Sequence, residues 1–222
     1  PARSKSSRIK YKNIKLFNNK IIIYYSIKAA IKTKLFNKIF VSTDDYNIAK
    51  IAIKYGAEVP LLREKNISDN YTSVAKVISK ELKKIIKLEN NLSFVCCIYA
   101  TAPMIKYQDI IKGYQILKKH KCNYVFSATK NANSFYRSFK LSSQKNIQMI
   151  FEKNYNKRSQ DLSYTYHDAG QFCWGDIKSW INEKKVMSNN SKIIEIPRYR
   201  SIDIDNMDDW KEAEYKFKNL NK

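Results

Sequence analysis

KIFVSTDDYNIAKIAIKYGAEVPLLR, Lys38 to Arg63, decides the fold. Lys38 to Thr43 is a short, almost wholly apolar run, the pattern of a strand covered on both faces inside a parallel sheet. Asp44-Asp45 then opens a helix carrying Ile48, Ala49, Ile51 and Ala52, and Gly56 closes it. Glu58 to Leu62 returns to strand pattern and delivers Arg63 to its end.

The same alternation extends in both directions. Ile21 to Leu35 reads as a helix with much of its surface apolar. Asp69 to Ser73 opens another, with Val74, Val77, Ile78, Leu82, Ile85 and Ile86 on one stripe. Ser93 to Tyr99 is a central strand, followed by Ala100-Thr101-Ala102-Pro103. A helix bearing Ile110, Ile111, Tyr114 and Leu117 leads to a strand at Tyr124 to Ala128. Strands alternating with helices over short connections predict a three-layer α/β fold with a mostly parallel sheet. After Thr129 the rhythm breaks: Lys130 to Tyr166 is rich in aromatics and amides, as expected of a functional insert or an oligomer contact. Sheet pattern resumes at Gln171 to Trp174 and at Ile193 to Ile196. Open α/β sheets bind ligands beyond the C-terminal ends of their strands. Asp44, Arg63, Tyr99 with Thr101, and Thr129 all fall there.

The chain has 222 residues, 44% of them hydrophobic, enough to bury a core as one domain. No apolar window is long enough to span a membrane, and no secretory signal is visible. Cys96, Cys97, Cys122 and Cys173 lack metal-finger spacing and read as buried free thiols of a reducing cytoplasm. The formal net charge of +22 raises a nucleic-acid partner as one reading. The positive residues, however, are mostly lysines scattered along every segment, a compositional bias of solvated faces. Arginines, the usual base and phosphate readers, are few. An anionic small substrate suits the charge as well.

Two stretches carry candidate chemistry. In Ser201-Ile202-Asp203-Ile204-Asp205, the alternation of a half-buried strand puts both carboxylates on one face, roughly 7 Å apart. Two such hard oxygen ligands suit Mg²⁺, whose shell is completed by water and phosphate. The competing reading is an acidic strand end with Asp205 as N-cap of the helix that follows. PARSKSSRIKYKN, Pro1 to Asn13, offers serine hydroxyls, backbone N–H groups, Arg3, Lys5 and Arg8 to a triphosphate; read locally, a basic terminus without fixed structure is the better reading.

Across almost the whole chain, motifs recur in an order that resembles the cytidylyltransferases that activate nonulosonic acids, the CMP-sialic acid synthetase family. They are PAR at Pro1 to Arg3, KN at Lys12-Asn13, VSTDD at Val41 to Asp45, YGAEVPLLR at Tyr55 to Arg63 and SDNYTS at Ser68 to Ser73. Further on come VCCIYATAP at Val95 to Pro103, RSQDL at Arg158 to Leu162, HDAGQF at His167 to Phe172, PRYR at Pro197 to Arg200 and SIDID at Ser201 to Asp205. The resemblance implies a Rossmann-like nucleotidyltransferase sheet and transfer of CMP from CTP to a nine-carbon 2-keto sugar acid, with pseudaminic acid first among the candidates. It implies Mg²⁺ on Asp203 and Asp205, and Arg3, Lys5, Ser6 and Arg8 on the triphosphate. Ala2, Asn13, Arg63, Thr72 and Ser73 would hold cytosine and ribose. Tyr99, Thr101, His167, Asp168 and Gln171 would line the sugar pocket. For Arg198 and Arg200, which alternate across Tyr199, it leaves two roles open: the sugar carboxylate or the acidic strand that follows. His167-Asp168 is either a turn or a carboxylate-paired histidine. The resemblance also implies a homodimer built through residues 131–166, with Phe135, Tyr136, Phe139 and Phe151 as contact area.

The sequence departs from that pattern in places. The family loop reads Gly-Gly-Ser-Lys-Arg after PAR, whereas here Ser4-Lys5-Ser6-Ser7-Arg8 follows. The family pattern also places an apolar strand in mid-sheet ahead of PAR, and without it the neighbouring strands are expected to lie unpaired. An inactive or truncated relative and a basic nucleic-acid-binding module are the competing functional readings.

Overall fold

The computed structural model describes residues 1–69, 71–87 and 92–220. After an N-terminal loop ending in a 3₁₀ turn at Lys12–Ile14, a two-stranded hairpin, β1 (Leu16–Phe17) and β2 (Lys20–Ile21), leads into α1 (Ile23–Thr33). Then come α2 (Tyr46–Lys54), α3 (Val74–Ile85), β3 (Phe94–Ile98), α4 (Tyr107–His120) and β4 (Tyr124–Lys130). A small hairpin of β5 (Phe139–Leu141) and β6 (Ile147–Met149) interrupts before β7 (Tyr166–Asp176). The chain finishes with α5 (Ile177–Ile181), β8 (Ser191–Glu195) and α6 (Met207–Leu220).

The helices begin and end for local reasons. Asp45 caps α2 by accepting from the N–H groups of Asn47 and Ile48, satisfying two donors that have no helical partner. Gly56, at φ +98°, turns the chain out of that helix in a conformation that L side chains rarely adopt. Ser73 caps α3 through the N–H of Lys76.

The main sheet has the order β3-β7-β4-β8. Strand β4 runs parallel to β8, and β7 runs against both β3 and β4, so β3, β4 and β8 all point the same way. The stretches 39–43 and 57–63 are also extended and parallel but meet at one bridge, Phe40 with Glu58. Two backbone bonds make that bridge, Glu58 N–H to Ile39 and Val41 N–H to Glu58, and one more, Arg63 N–H to Thr43, holds the stretches further along.

Alternating side chains on these strands sort into two cores, which makes the three layers. Val125, Phe172, Trp174 and Ile194 pack with α1 and α4 on one face. Tyr124, Phe126, Cys97 and Cys173 pack with α3 and with Trp180 of α5 on the other. Gly113 lets α4 lie close on β7: a Cβ there would come within 2.9 Å of the rings of Phe172 and Trp174. All four cysteines are free thiols. No helix among the described residues is long and apolar enough to cross a membrane.

Between the extended 39–42 stretch and β3 lies a cleft of about 620 Å³, walled by Ile23, Ile27, Val41, Val77, Leu82, Val95 and Cys97. Among the described residues β3 has a strand partner on one edge only.

Residues 131–166 fold back on themselves. Asn131 N–H bonds the Thr165 carbonyl at 2.9 Å, and Phe151 meets Phe135 and Tyr136 edge-on. Three of the four expected contact aromatics therefore pack mainly on one another. Phe139, Leu141 and Ile147 of the hairpin stand out into solvent.

Candidate active site

The C-terminal ends of β3, β4 and β8, the start of β7 and the N-terminal loop form one rim, on which most of the residues singled out above meet. On the N-terminal loop, Ala2 is buried and its N–H bonds the Ser42 carbonyl at 2.8 Å. Asn13 is buried and donates its side-chain amide to the Arg3 carbonyl at 2.8 Å, while Arg3 donates to the Asp69 carbonyl. Asp69 in turn accepts from the N–H groups of Tyr71 and Thr72 and from the Thr72 hydroxyl, which holds its carboxyl below the usual range. Ser4 donates both its N–H and its hydroxyl to Asp44, each at 2.7 Å. The basic terminus is thus an ordered loop, tied down at four points.

Arg63 is buried beneath this loop. Its Nε donates to Ser68 Oγ at 3.0 Å, and its Nη2 lies 3.9 Å from Asp44 with no hydrogen-bond partner. Burial pulls its pKa down, against the opposing pull of Asp44. A buried guanidinium nitrogen without an acceptor is costly, and it suits a ligand carbonyl or hydroxyl. Lys5 and Ser6 have no hydrogen-bond or ion-pair partner among the described residues, and the Ser73 hydroxyl is engaged in capping α3.

The acidic stretch differs from its expected form. Residues 201–205 leave the 3₁₀ turn through an extended Ser201 and Ile204 is buried, but they join no ladder among the described residues. Nor does Asp205 cap α6. Asn206 does, accepting from the N–H groups of Asp208 and Asp209, while Asp209 accepts from those of Asp205 and Asn206. Asp205 is left facing the rim, where Arg8 Nη2 lies at 2.7 Å and Lys12 Nζ at 3.8 Å. Asp203 has no hydrogen-bond or ion-pair partner among the described residues. Partial burial, and then the neighbouring Asp205, push its pKa up.

Lys12 was not among the candidates from sequence. Its amine also donates to the Ile204 carbonyl at 2.6 Å, and burial lowers its pKa while Asp205 and Asp203 work to raise it. Its place immediately before Asn13 was the available signal.

Whether a divalent cation fits can be judged from this donor set. Two neighbouring carboxylates, one unpartnered, provide hard oxygen ligands. No group of three or more His, Cys, Asp or Glu among the described residues is arranged around a metal. The set suits Mg²⁺, which takes one or two carboxylates and completes its shell with water and substrate phosphate.

Beside the acids lies a polar recess. Burial pushes the Tyr99 phenol well above its usual range. Asp168 is half-buried; burial raises its pKa, a bond from the Gly170 N–H lowers it, and Asp203 raises it further. Gln171 Oε1 and Thr129 Oγ1 are buried without partners, orphan atoms of the kind a polyhydroxylated ligand would satisfy. Thr129, placed at a strand end by the sequence pattern, joins the recess through this orphan hydroxyl. Thr101, just after β3, is half-buried.

Three expectations are corrected here. His167 is exposed and pairs not with a carboxylate but with Asn131 Oδ1, at 2.6 Å. Arg198 and Arg200 do not share a face, because 198–200 is a 3₁₀ turn. Arg198 is exposed, whereas Arg200 is 5% exposed and pairs with Asp109, not with the acidic stretch.

A sequence model of a family described as Cytidylyltransferase matches residues 1–218. The chain is 37% identical over 219 residues to the Pseudaminic acid cytidylyltransferase of Campylobacter jejuni subsp. jejuni serotype O:23/36, covering 98% of this chain and 94% of that one. It is 27% identical over 214 residues to N-acylneuraminate cytidylyltransferase A of Danio rerio, covering 96% of this chain and 48% of that one. Among solved structures, CMP:2-keto-3-deoxy-manno-octonic acid synthetase complexed with CTP superposes with a TM-score of 0.72 over 99% of this chain and 97% of that one, at 12% identity. The 4-diphosphocytidyl-2C-methyl-D-erythritolsynthase of Anaerococcus prevotii superposes at 0.65 over 97% and 95%, at 15% identity. At such identities the superpositions speak to the fold alone.

Proposed function

From the premise that this chain belongs to the cytidylyltransferase family, we propose that it transfers CMP from CTP to a nonulosonic acid, pseudaminic acid in the first place, releasing pyrophosphate. The observation that carries the reading is the convergence of Arg8 and Lys12 on Asp205, beside the unpartnered Asp203. Cations for a triphosphate and carboxylates for its metal meet at one point of the sheet's rim. The near full-length likeness to curated enzymes of this activity supports it.

In the reaction, the anomeric hydroxyl oxygen of the sugar acid forms a bond to the α-phosphorus, and the bond from that phosphorus to the β-phosphate oxygen breaks. Catalysis of this type rests on positioning and charge neutralisation. Arg3, Lys5, Ser6, Arg8 and Lys12 neutralise and hold the triphosphate and the departing pyrophosphate. Ala2, Asn13, Arg63, Thr72 and Ser73 hold the base and ribose, with the free Arg63 Nη2 as the recognising donor. Tyr99, Thr101, Asp168, Gln171, His167 and Thr129 line the sugar side. Asp203 and Asp205 would hold Mg²⁺, which would supply charge to polarise the α-phosphate and ease loss of the hydroxyl proton. The exposed hairpin residues Phe139, Leu141 and Ile147 are the contact surface of a homodimer.

Incubation with CTP, Mg²⁺ and pseudaminic acid, followed by a pyrophosphate assay, tests the reading. Release dependent on all three, and lost when UTP replaces CTP, is expected. No release with pseudaminic, legionaminic or sialic acid by a folded sample would refute it. Affinity for nucleic acid that falls steeply with salt, with none for CTP, would replace it by the basic-module reading.

A further inference from the structure

The stretch that bears the two acids is held by side chains rather than by a sheet. Lys12 Nζ donates to the Ile204 carbonyl at 2.6 Å, and Lys216 Nζ to the Ser201 carbonyl at 3.3 Å. At the point where the stretch leaves the 3₁₀ turn, Gln171 Nε2 donates to the Arg200 carbonyl at 2.7 Å, and both residues are buried. The Arg200 side chain then reaches the first turn of α4, where Nη1 meets Asp109 Oδ2 at 2.8 Å. The two side chains are only 6% and 11% exposed.

Among the described residues Asp109 has no hydrogen bond or ion pair to those that face the nucleotide or sugar in the proposed reading, yet it is the fixed end of this chain of contacts. It stands on the helix that follows directly from the loop after β3, the loop that carries Tyr99 and Thr101. One buried ion pair therefore joins the sugar side of the rim to the metal side. Such a pair brings little net stability, since desolvation of both charges offsets their attraction, and apolar residues of similar volume serve the fold as well. What an apolar pair does not supply is direction: a guanidinium fixed at its tip places its own backbone carbonyl, and the residues after it, within a narrow range.

We propose that Asp109 is a positioning residue for the metal-binding carboxylates, acting through Arg200 and Gln171 on Asp203 and Asp205. This rests on the reading of those two acids as Mg²⁺ ligands. Partners that orient metal ligands in this way are worth roughly 10- to 100-fold in metal affinity.

The test replaces both charges, Asp109→Leu with Arg200→Met, so that no unpaired charge is buried. Arg200→Lys serves as a second variant that keeps the charges but loses the planar fork. Binding of Mn²⁺ in the presence of CTP, without sugar acid, is followed by water-proton relaxation, alongside CTP binding without metal by calorimetry. The expected result is a circular dichroism spectrum unchanged from the parent, metal-free CTP affinity within about twofold and Mn²⁺ affinity weakened on the order of tenfold or more. Arg200→Lys should show the same split to a smaller degree. Mn²⁺ affinity within twofold of the parent in either folded variant overturns the positioning role. Equal loss of CTP and Mn²⁺ binding also overturns it, marking the pair as merely structural. If the parent protein itself binds no Mn²⁺ with CTP, it is the assignment of the acids that fails, and the inference with it.

Discussion

Replacing Ser4 by alanine removes one of two bonds that fasten the N-terminal loop to Asp44. In the structure the Ser4 hydroxyl and N–H each lie 2.7 Å from a different oxygen of that carboxylate. The Asp44 side chain is 11% exposed, with the buried Arg63 guanidinium 3.9 Å away. Burial alone would raise the Asp44 pKa, but the two bonds from Ser4, joined by a backbone bond at Asp44 itself and the Arg63 charge, outweigh it and leave the carboxyl below its usual range. A hydrogen bond to a buried charge is worth about 1.5–3 kcal/mol. For a domain of this size each kcal/mol moves the melting temperature by about 2–4 °C, so Ser4→Ala should melt about 3–12 °C lower. The sign with pH follows from the depressed pKa. Stabilisation of this kind is complete above the unfolded-state value and is lost as pH falls through the folded one. The penalty should therefore stay constant from pH 8 to pH 5, where Asp44 is ionised in both states, and shrink only below about pH 4. Urea unfolding of the parent, Ser4→Ala, Asp44→Asn and the double variant at pH 7 gives the coupling directly. A coupling energy near zero, or a Ser4→Ala penalty that changes between pH 8 and pH 5, would refute the argument. Ser4 stands where the family loop has glycine, so Ser4→Gly should lose the same bond and add chain freedom, weakening CTP binding as well as the fold.

Asp203→Asn should cut pyrophosphate release by about a hundredfold or more while the melting temperature holds or rises, since two repelling carboxylates become one; Asp205→Asn should cut release likewise but melt lower, because it also gives up the ion pairs to Arg8 and Lys12. Because the Asp203 pKa is raised in the metal-free protein, a proton competes with Mg²⁺ there, so the Mg²⁺ concentration for half-maximal rate should climb on acidification, beginning above the pH of an ordinary aspartate. Asn206→Ala removes the α6 cap and should destabilise the protein by about 1 kcal/mol in chemical unfolding. Placing aspartate at both Phe139 and Ile147 should yield monomers in light scattering if the hairpin is the dimer surface; unchanged mass would exclude it.

Much of this arrangement was legible because it rests on local rules. Asp45 at the start of a helix, Gly56 as a helix end and the apolar run of Tyr124, Val125 and Phe126 as a strand buried on both faces all follow from residue type and spacing. What escaped is what depends on partners distant in the chain. The alternation of Ile202 and Ile204 correctly reports a buried and an open face, but period two carries no information on whether a ladder partner exists, and here none does. Arg198 and Arg200 share a face only if the backbone is extended; a 3₁₀ turn after Pro197 separates them. The antiparallel sense of β7 depends on where the excursion of 131–166 returns. Asp109 sits on an amphipathic helix as an ordinary first-turn acid, and only the fold shows Arg200 arriving beneath it.

The one-sided pairing of β3 leaves its mark on the backbone itself. Tyr99 N–H bonds Gln171 across to β7, and the register continues in steps of two, so Val95 and Cys97 also turn their amides toward β7. Phe94, Cys96 and Ile98 consequently direct theirs into the cleft, where no strand of the described residues receives them. Deuterium uptake along this one strand should thus flicker, slow and fast on alternate residues. Any extended segment that came to rest in the cleft would silence the fast set without disturbing the slow one.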